Sequence, residues 1–405
     1  MKTLLVFVLT SAAFGAAGGH WVVTWGAAPA PQLPAESQMR SAGLEYSNQT
    51  LREVVHISLG GDSFRVRLSN AYGKDTVRIE AVHLALRADG PAIAPGSDRP
   101  LTFSGRPAVS IPPDAEVLSD PVELKAPSGA DLAVTLFLRE AAAGAGIHYS
   151  AQQTSYVGDG DLSGAASIPD AHPITSWVFL TGVDVLAPRK AFAVIAFGDS
   201  ITDGARSTVN ANQRWPDILA NRLRQGKSEI AVADEGIGGN RILHDASGNV
   251  RFGVSALARF DRDVLAQPGV RYVIVLEGIN DLGHAGTSAP ESETVSTEDL
   301  IAGLRQMIER AHERGIRILG ATLTPFEGTA FPGYFTPLKE AKRKALNEWI
   351  RSGGAFDGVV DFDKAVRDAN HPDRMRSDYD GGDHLHPGDA GYRAMGQAVN
   401  LGLLK

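Results

Sequence analysis

The sequence predicts a two-part α/β protein: a β-sandwich-like region over residues 20–187, then a parallel sheet covered by helices on both faces over residues 190–405. Three observations carry that expectation. Short segments of alternating apolar and polar residues, separated by Gly, Pro, Asn and Asp, fill the first part. Strand-length apolar runs alternate with amphipathic helical stretches in the second, the pattern of a parallel sheet with crossover helices. Between them "VLAPRK" (185–190) reads as a linker. A chain of 405 residues that is 43% hydrophobic is long enough for two cores rather than one.

The chain opens with one early lysine, a short apolar run over 4–9 and then small residues, the layout of a secretory signal peptide over 1–18 with the cut between Gly15 and Gly19. A buried first strand is the alternative. The apolar run is too short to cross a membrane and no other run is long enough to span one, so the mature chain is expected to be soluble. A signal peptide implies a secreted or periplasmic protein, and a monomer is expected. With 39 basic and 47 acidic residues the net charge is −8, which disfavours nucleic acid as a partner. There is no cysteine, which excludes disulfides, thiol catalysis and thiolate metal sites.

In the first part, strands are expected at 51–59, 64–70, 77–86 and 131–138. "GDS" at 61–63 falls between two of these patterns and reads as a hairpin turn. Trp21, Trp25 and Tyr72 could bind glycans, although buried aromatics are the commoner case in a sandwich. In the second part, strands are expected at 192–197, 229–233, 271–276, 317–321 and 358–362, with helices such as 214–225 and 297–315 between them. The longer helix has Ser296 or Thr297 as N-cap, keeps Leu300, Leu304, Met307, Ile308 and Ala311 on one face, and stops at Gly315.

In such sheets ligands bind beyond the carboxyl ends of the strands. That rule gathers four unusual loops at one edge: Ser200 after the first strand, "EGIGGNR" (235–241) after the second, "EGIND" (277–281) after the third, and "GGDHLHPGDAGY" (381–392) after the fifth. A serine hydroxyl needs a base to become a nucleophile near neutral pH, and histidine is the usual one. The histidine needs a carboxylate to fix its tautomer. Asp383 and His386, three residues apart, can sit in one tight turn. Developing negative charge on an attacked carbonyl needs donors, and the Gly239 N–H, the Asn280 side-chain amide and the Ser200 N–H are available.

Each residue also has a plainer reading. Ser200 could cap the next helix, Gly239 could be a turn glycine, and Asn280 and Asp281 a turn or cap; Asp281 reads as structural. Asp383, His384 and His386, with Asp380 nearby, could bind a metal, but no third histidine has ligand-like spacing. "GKS" (226–228) has Asn221 where a phosphate-binding loop needs glycine, and "GIGGNR" has Arg241 where a dinucleotide motif needs glycine or alanine. No cofactor and no metal are therefore expected.

With these four loops in order, residues 191–405 resemble the SGNH (GDSL-type) hydrolase superfamily: "FGDSITDG" for the nucleophile, "GIGGN" and "GIND" for the oxyanion donors, "DHLHP" for the Asp–His pair. Ile201 stands where the family name has leucine. The resemblance implies a flavodoxin-like three-layer α/β/α domain and ester hydrolysis through an acyl-enzyme. "TWGAAP", "VRLSNAYG" and "QTSYVGDGD" make the whole chain similar to secreted SGNH hydrolases with a β-rich domain ahead of the catalytic one, xylan-processing esterases among them. The expected substrate is a small-molecule or polysaccharide ester, with a short acyl group, acetyl, on a carbohydrate. The rivals are a lipase or phospholipase-type acylhydrolase and a catalytically inert glycan-binding protein. Two long loops, 282–297 and 324–337, border the site, and the aromatics of the second could stack on a sugar, line an acyl pocket or pack on the sheet edge.

Overall fold

The computed structural model describes residues 19–33 and 45–405, so the expected signal peptide lies outside the described residues. The first part is built from two antiparallel sheets. One runs in the order Gly19–Gly26, Leu180–Pro188, Gly61–Ser69, Val122–Ala126, with Glu116–Leu118 also on Gly61–Ser69. The other runs His172–Ile174, Ser155–Asp159, Gln49–His56, Asp131–Leu138, Ala81–Leu86, Arg99–Pro100. Apolar side chains such as Leu51, Val55, Phe64, Val66, Leu132 and Val134 are fully buried within them.

Three local expectations change here. "GDS" at 61–63 is not a hairpin turn but the opening of a strand, and the strands before and after it belong to different sheets. The chain changes sheets through Ser58–Gly60, where a Cβ on Gly60 would lie 2.3 Å from the Ala126 carbonyl oxygen. The segment 77–86 divides at Glu80, since Val77–Ile79 pairs with Val109–Ile111 while Ala81–Leu86 joins the larger sheet. Much of 185–190 is strand rather than linker: Val185 to Pro188 pair with Val22 to Gly19.

The second part has five parallel strands: β1 (Phe192–Gly198), β2 (Ile230–Gly236), β3 (Val270–Leu276), β4 (Arg317–Ala321) and β5 (Gly358–Val360). Their order is β2-β1-β3-β4-β5, the flavodoxin-like order, which reverses direction at β1 and so opens a crevice at the carboxyl ends of β1 and β3. Every residue of β1 is buried, as a central parallel strand requires. The main connecting helices are α1 (Ser200–Asp203), α2 (Trp215–Gln225), α3 (Ala256–Phe260), α4 (Ile279–His284), α5 (Thr297–Glu313), α6 (Pro337–Ser352), α7 (Phe362–Val366) and α8 (Asp389–Ala398). Helix α5 begins at a capping box in which Ser296 and Asp299 bond each other's backbone N–H.

The two parts are packed together. Strand Gly19–Gly26 lies against β2, the edge of the parallel sheet, and Ser58 Oγ accepts the Val232 N–H at 2.9 Å. That covers an edge which would otherwise offer unpaired backbone groups. Val23 N–H donates to the Pro268 carbonyl at 2.9 Å, and Arg262 donates to the Tyr72 hydroxyl at 2.9 Å. Among the described residues most buried apolar side chains accordingly form one cluster from Val22 to Leu404 that runs through both parts, with a small separate one of Ala85, Ile93 and Ala133.

Candidate active site

Strand β1 ends at Gly198, and the next turn is tight. A Cβ there would sit 2.2 Å from Thr202 Oγ1 and 2.6 Å from the Leu276 carbonyl oxygen, so the residue has to be glycine. Asp199 caps α1 through its Oδ1, which accepts the Ile201 N–H at 2.9 Å. Ser200 therefore begins a short helix directly beyond the sheet. Its Oγ lies 2.8 Å from His386 Nε2.

The histidine is fixed from behind. His386 Nδ1 lies 2.9 Å from Asp383 Oδ2, while Asp383 Oδ1 accepts the backbone N–H of Leu385 at 3.1 Å and of His386 at 2.9 Å. Arg206 Nε donates to Asp383 Oδ2 at 3.0 Å. Burial pushes the Asp383 carboxyl up, but the bonds and charge of His386 and the bond from Arg206 outweigh it and hold the group well below the usual carboxylate range. An ionised Asp383 requires a proton on Nδ1 and leaves Nε2 as the acceptor facing Ser200. His384 does not join this arrangement. Its side chain is exposed and its Nδ1 bonds Asp380. Among the described residues no cluster of three His, Cys, Asp or Glu side chains is placed to hold a metal ion.

Gly239 and Asn280 line the same cavity, of about 530 Å³, as Ser200 and His386. Gly239 has φ +78°, and a Cβ there would strike the Phe252 ring at 2.2 Å. Asn280 is held at both ends of its amide: Nδ2 donates to the Asn240 carbonyl at 2.9 Å and Oδ1 accepts the Tyr334 hydroxyl at 2.7 Å. The amide retains one N–H for a ligand. Asp281 is structural, its carboxylate accepting the N–H of Ile242 at 2.8 Å and of Leu243 at 3.1 Å and so pinning the loop that carries Gly239. Burial pushes Asp281 up to about 6, against the pull of those two bonds.

Several contributors lie outside the four motifs. Arg259 is buried beneath the site and donates to the Gly198 carbonyl at 2.9 Å, the Glu235 carbonyl at 2.8 Å, Glu277 at 3.2 Å and Asp263 at 3.0 Å. One guanidinium thus ties together the carboxyl ends of β1, β2 and β3. Burial raises Glu277 and Glu235 well above the ordinary range, with Arg259 opposing it. The signal in the sequence was two glutamates closing apolar strands, which demanded a buried partner. The loop 324–337 divides its roles: Phe326 is fully buried, Tyr334 orients Asn280, and Phe331 stands 44% exposed at the rim, edge-on to His386. His284, also on the wall, is pushed down to about 4 by burial and by the nearby Arg241 and Lys339, so it faces the cavity neutral.

The first part of the chain supplies one wall of this cavity through Ala28, Ala30, His148, Tyr149 and Ser150. His148 Nε2 lies 2.9 Å from Asp203 Oδ1, three residues beyond Ser200, and its Nδ1 is 3.0 Å from the Ala28 carbonyl. Of the aromatics considered as glycan binders, Trp25 is buried edge-on against Trp177 and Tyr72 packs on Arg262.

Residues 196–394 match the GDSL-like lipase/acylhydrolase family, a span that contains Ser200, Gly239, Asn280, Asp383 and His386. The chain carries a GDSL-like hydrolase domain. It is a carboxylic ester hydrolase, with the SGNH fold preceded by a β-rich region. Solved structures similar to this GDSL-like hydrolase include a GDSL-like lipase from Bacteroides thetaiotaomicron (18% identity over 52% of this chain and 87% of that one, TM-score 0.38). They also include the acetyl xylan esterase AlAXEase (19%, 51% and 97%, TM-score 0.39) and an aryl esterase of M. smegmatis (17%, 51% and 95%, TM-score 0.41). At these scores they say nothing about substrate. No curated protein matches the chain.

Proposed function

We propose that this esterase acts through an acyl-enzyme on Ser200 and removes short acyl groups, acetyl foremost, from carbohydrate esters. The observation that carries the mechanism is the unbroken Ser200–His386–Asp383 hydrogen-bonded chain opening into the cavity. His386 Nε2 takes the Ser200 proton as Oγ attacks the ester carbonyl. The oxyanion is held by the N–H groups of Ser200 and Gly239 and the free N–H of Asn280. Collapse expels the alcohol, which takes the proton from His386; a water deprotonated by the same nitrogen then attacks the acyl-enzyme, and Ser200 leaves with the proton as the carboxylic acid departs. Asp383, kept ionised, stabilises the imidazolium at each stage.

The polar lining supports a hydroxyl-rich alcohol: Ser150, Asn249, His284, Thr287 and Ser288 present neutral donors and acceptors to the cavity. A longer acyl chain is the second reading, favoured by the apolar wall of Ile237, Phe252, Phe331 and Leu385. Hydrolysis of 4-nitrophenyl acetate, butyrate and palmitate, alongside acetate release from acetylated xylan, separates the two. Acetate and xylan above palmitate supports the carbohydrate reading; palmitate as the best substrate overturns it. Export rests on residues 1–18, and the N-terminal sequence of protein recovered from outside the cytoplasm tests it.

A further inference from the structure

We infer that the substrate carries a carboxylate and that Arg251 receives it. This rests on the esterase reading above and deepens it. Arg251 is the only lysine or arginine among the described residues lining the cavity. Its guanidinium lies 4.9 Å from the centroid of the Tyr149 ring, and Tyr149 is itself anchored, its hydroxyl donating to the Pro31 carbonyl at 2.9 Å and accepting the Leu33 N–H at 2.8 Å. Stacking occupies the flat face of a guanidinium and leaves the N–H groups in its plane free to bond. Among the described residues none of those N–H groups has a hydrogen-bond or ion-pair partner; the one bond of the residue is its backbone N–H to Asn249 Oδ1 at 3.3 Å.

Neighbouring arginines show the contrast. Arg241 is bound to Glu293 and Ser247, Arg259 to Asp263 and Glu277, and Arg262 to Asp263. Among the described residues the only carboxylate lining the cavity is Asp203, and His148 occupies it. A cation in a cavity with much apolar wall, whose one described carboxylate is already bound to His148, is poised for an anion, and the fork of a guanidinium fits a carboxylate with two parallel bonds. Arg251 adjoins Phe252, the ring that backs Gly239, so such a carboxylate would share the cavity with the ester carbonyl. It can stand on the acyl chain, as in a dicarboxylic half-ester, or on the alcohol, as in an acidic sugar.

Two matched pairs distinguish the sources: 4-nitrophenyl hydrogen succinate against 4-nitrophenyl butyrate, and an acetylated methyl glucuronoside against the acetylated methyl glucoside. In one pair the acid is expected to have about ten- to a hundredfold the kcat/KM of its neutral partner, a preference that weakens with added salt and disappears in R251Q. Neutral preference in both pairs, or acid preference that survives R251Q, overturns the inference. If no ester turns over, the esterase reading fails by itself, and calorimetry on S200A decides the present one: succinate or methyl glucuronoside bound by S200A and lost in S200A/R251Q supports it, and equal binding of acid and neutral partner contradicts it. The comparison of acid with neutral partner on the unsubstituted enzyme needs no variant, so a misfolded R251Q leaves the test intact.

Discussion

Two histidine–aspartate pairs meet in one cavity and are built for different work. His386 and Asp383 come from a single turn after β5; His148 and Asp203 come from the two parts of the chain. In the first pair the second ring nitrogen faces a serine hydroxyl. In the second it faces the Ala28 carbonyl, which can only accept, so Nδ1 of His148 must carry a proton and Nε2 is spent on Asp203. Neither nitrogen of His148 is left for a substrate. On the proposed mechanism the same two residue types thus give a base where one nitrogen meets the serine hydroxyl, and a latch where both are occupied by protein.

The largest expected effect breaks the first pair. Ser200→Ala or His386→Ala should lower kcat on 4-nitrophenyl acetate on the order of 10⁴-fold, with thermal stability little changed. Next comes the proposed oxyanion donor: Asn280→Ala should lower kcat about 10²- to 10³-fold while KM moves far less, and a change confined to KM would refute that role. Tyr334→Phe, which frees only one end of the Asn280 amide, should cost about tenfold in kcat.

The second pair should register in stability before turnover. His148→Ala leaves Asp203 buried without its partner, and denaturant unfolding should show a loss of about 3 kcal/mol at pH 6. Burial lowers the His148 pKa, but the charge and hydrogen bond of Asp203 outweigh it and the net shift is upward. The stabilisation is therefore complete below about pH 6.5, the unfolded value, and fades as the pH rises through the raised folded value. The gap between the unsubstituted protein and His148→Gln should narrow in that direction; a gap that widens with pH would show that His148 is not the charged partner. Arg206→Ala should have the smallest effect, within about threefold in kcat, because its side chain is half exposed and its bond to Asp383 is screened by water.

The same contrast marks what the sequence made legible. Ser200, Gly239, Asn280 and the Asp383–His386 turn stand in short blocks at the ends of strands, where alternating β and α patterns already implied a common edge. Strand limits were readable for the same reason: Asp131–Leu138 and Arg317–Ala321 begin and end where their apolar patterns do. His148 carried no local signal, since its meaning depends on a partner 55 residues away and on how the sandwich docks onto β2. For Arg259 the sequence showed only the need, two glutamates closing apolar strands; which cation meets it depends on three strand ends converging on one guanidinium. The "GDS" at 61–63 shows the converse: a motif without its companion loops is part of a strand.

The most direct test of Ser200 as the nucleophile is peptide mass mapping after treatment with diethyl 4-nitrophenyl phosphate. A single diethylphosphoryl group on the peptide containing Ser200, absent in Ser200→Ala together with ester hydrolysis, is the expected result. Phosphorylation at another residue, or hydrolysis undiminished in Ser200→Ala, would contradict it.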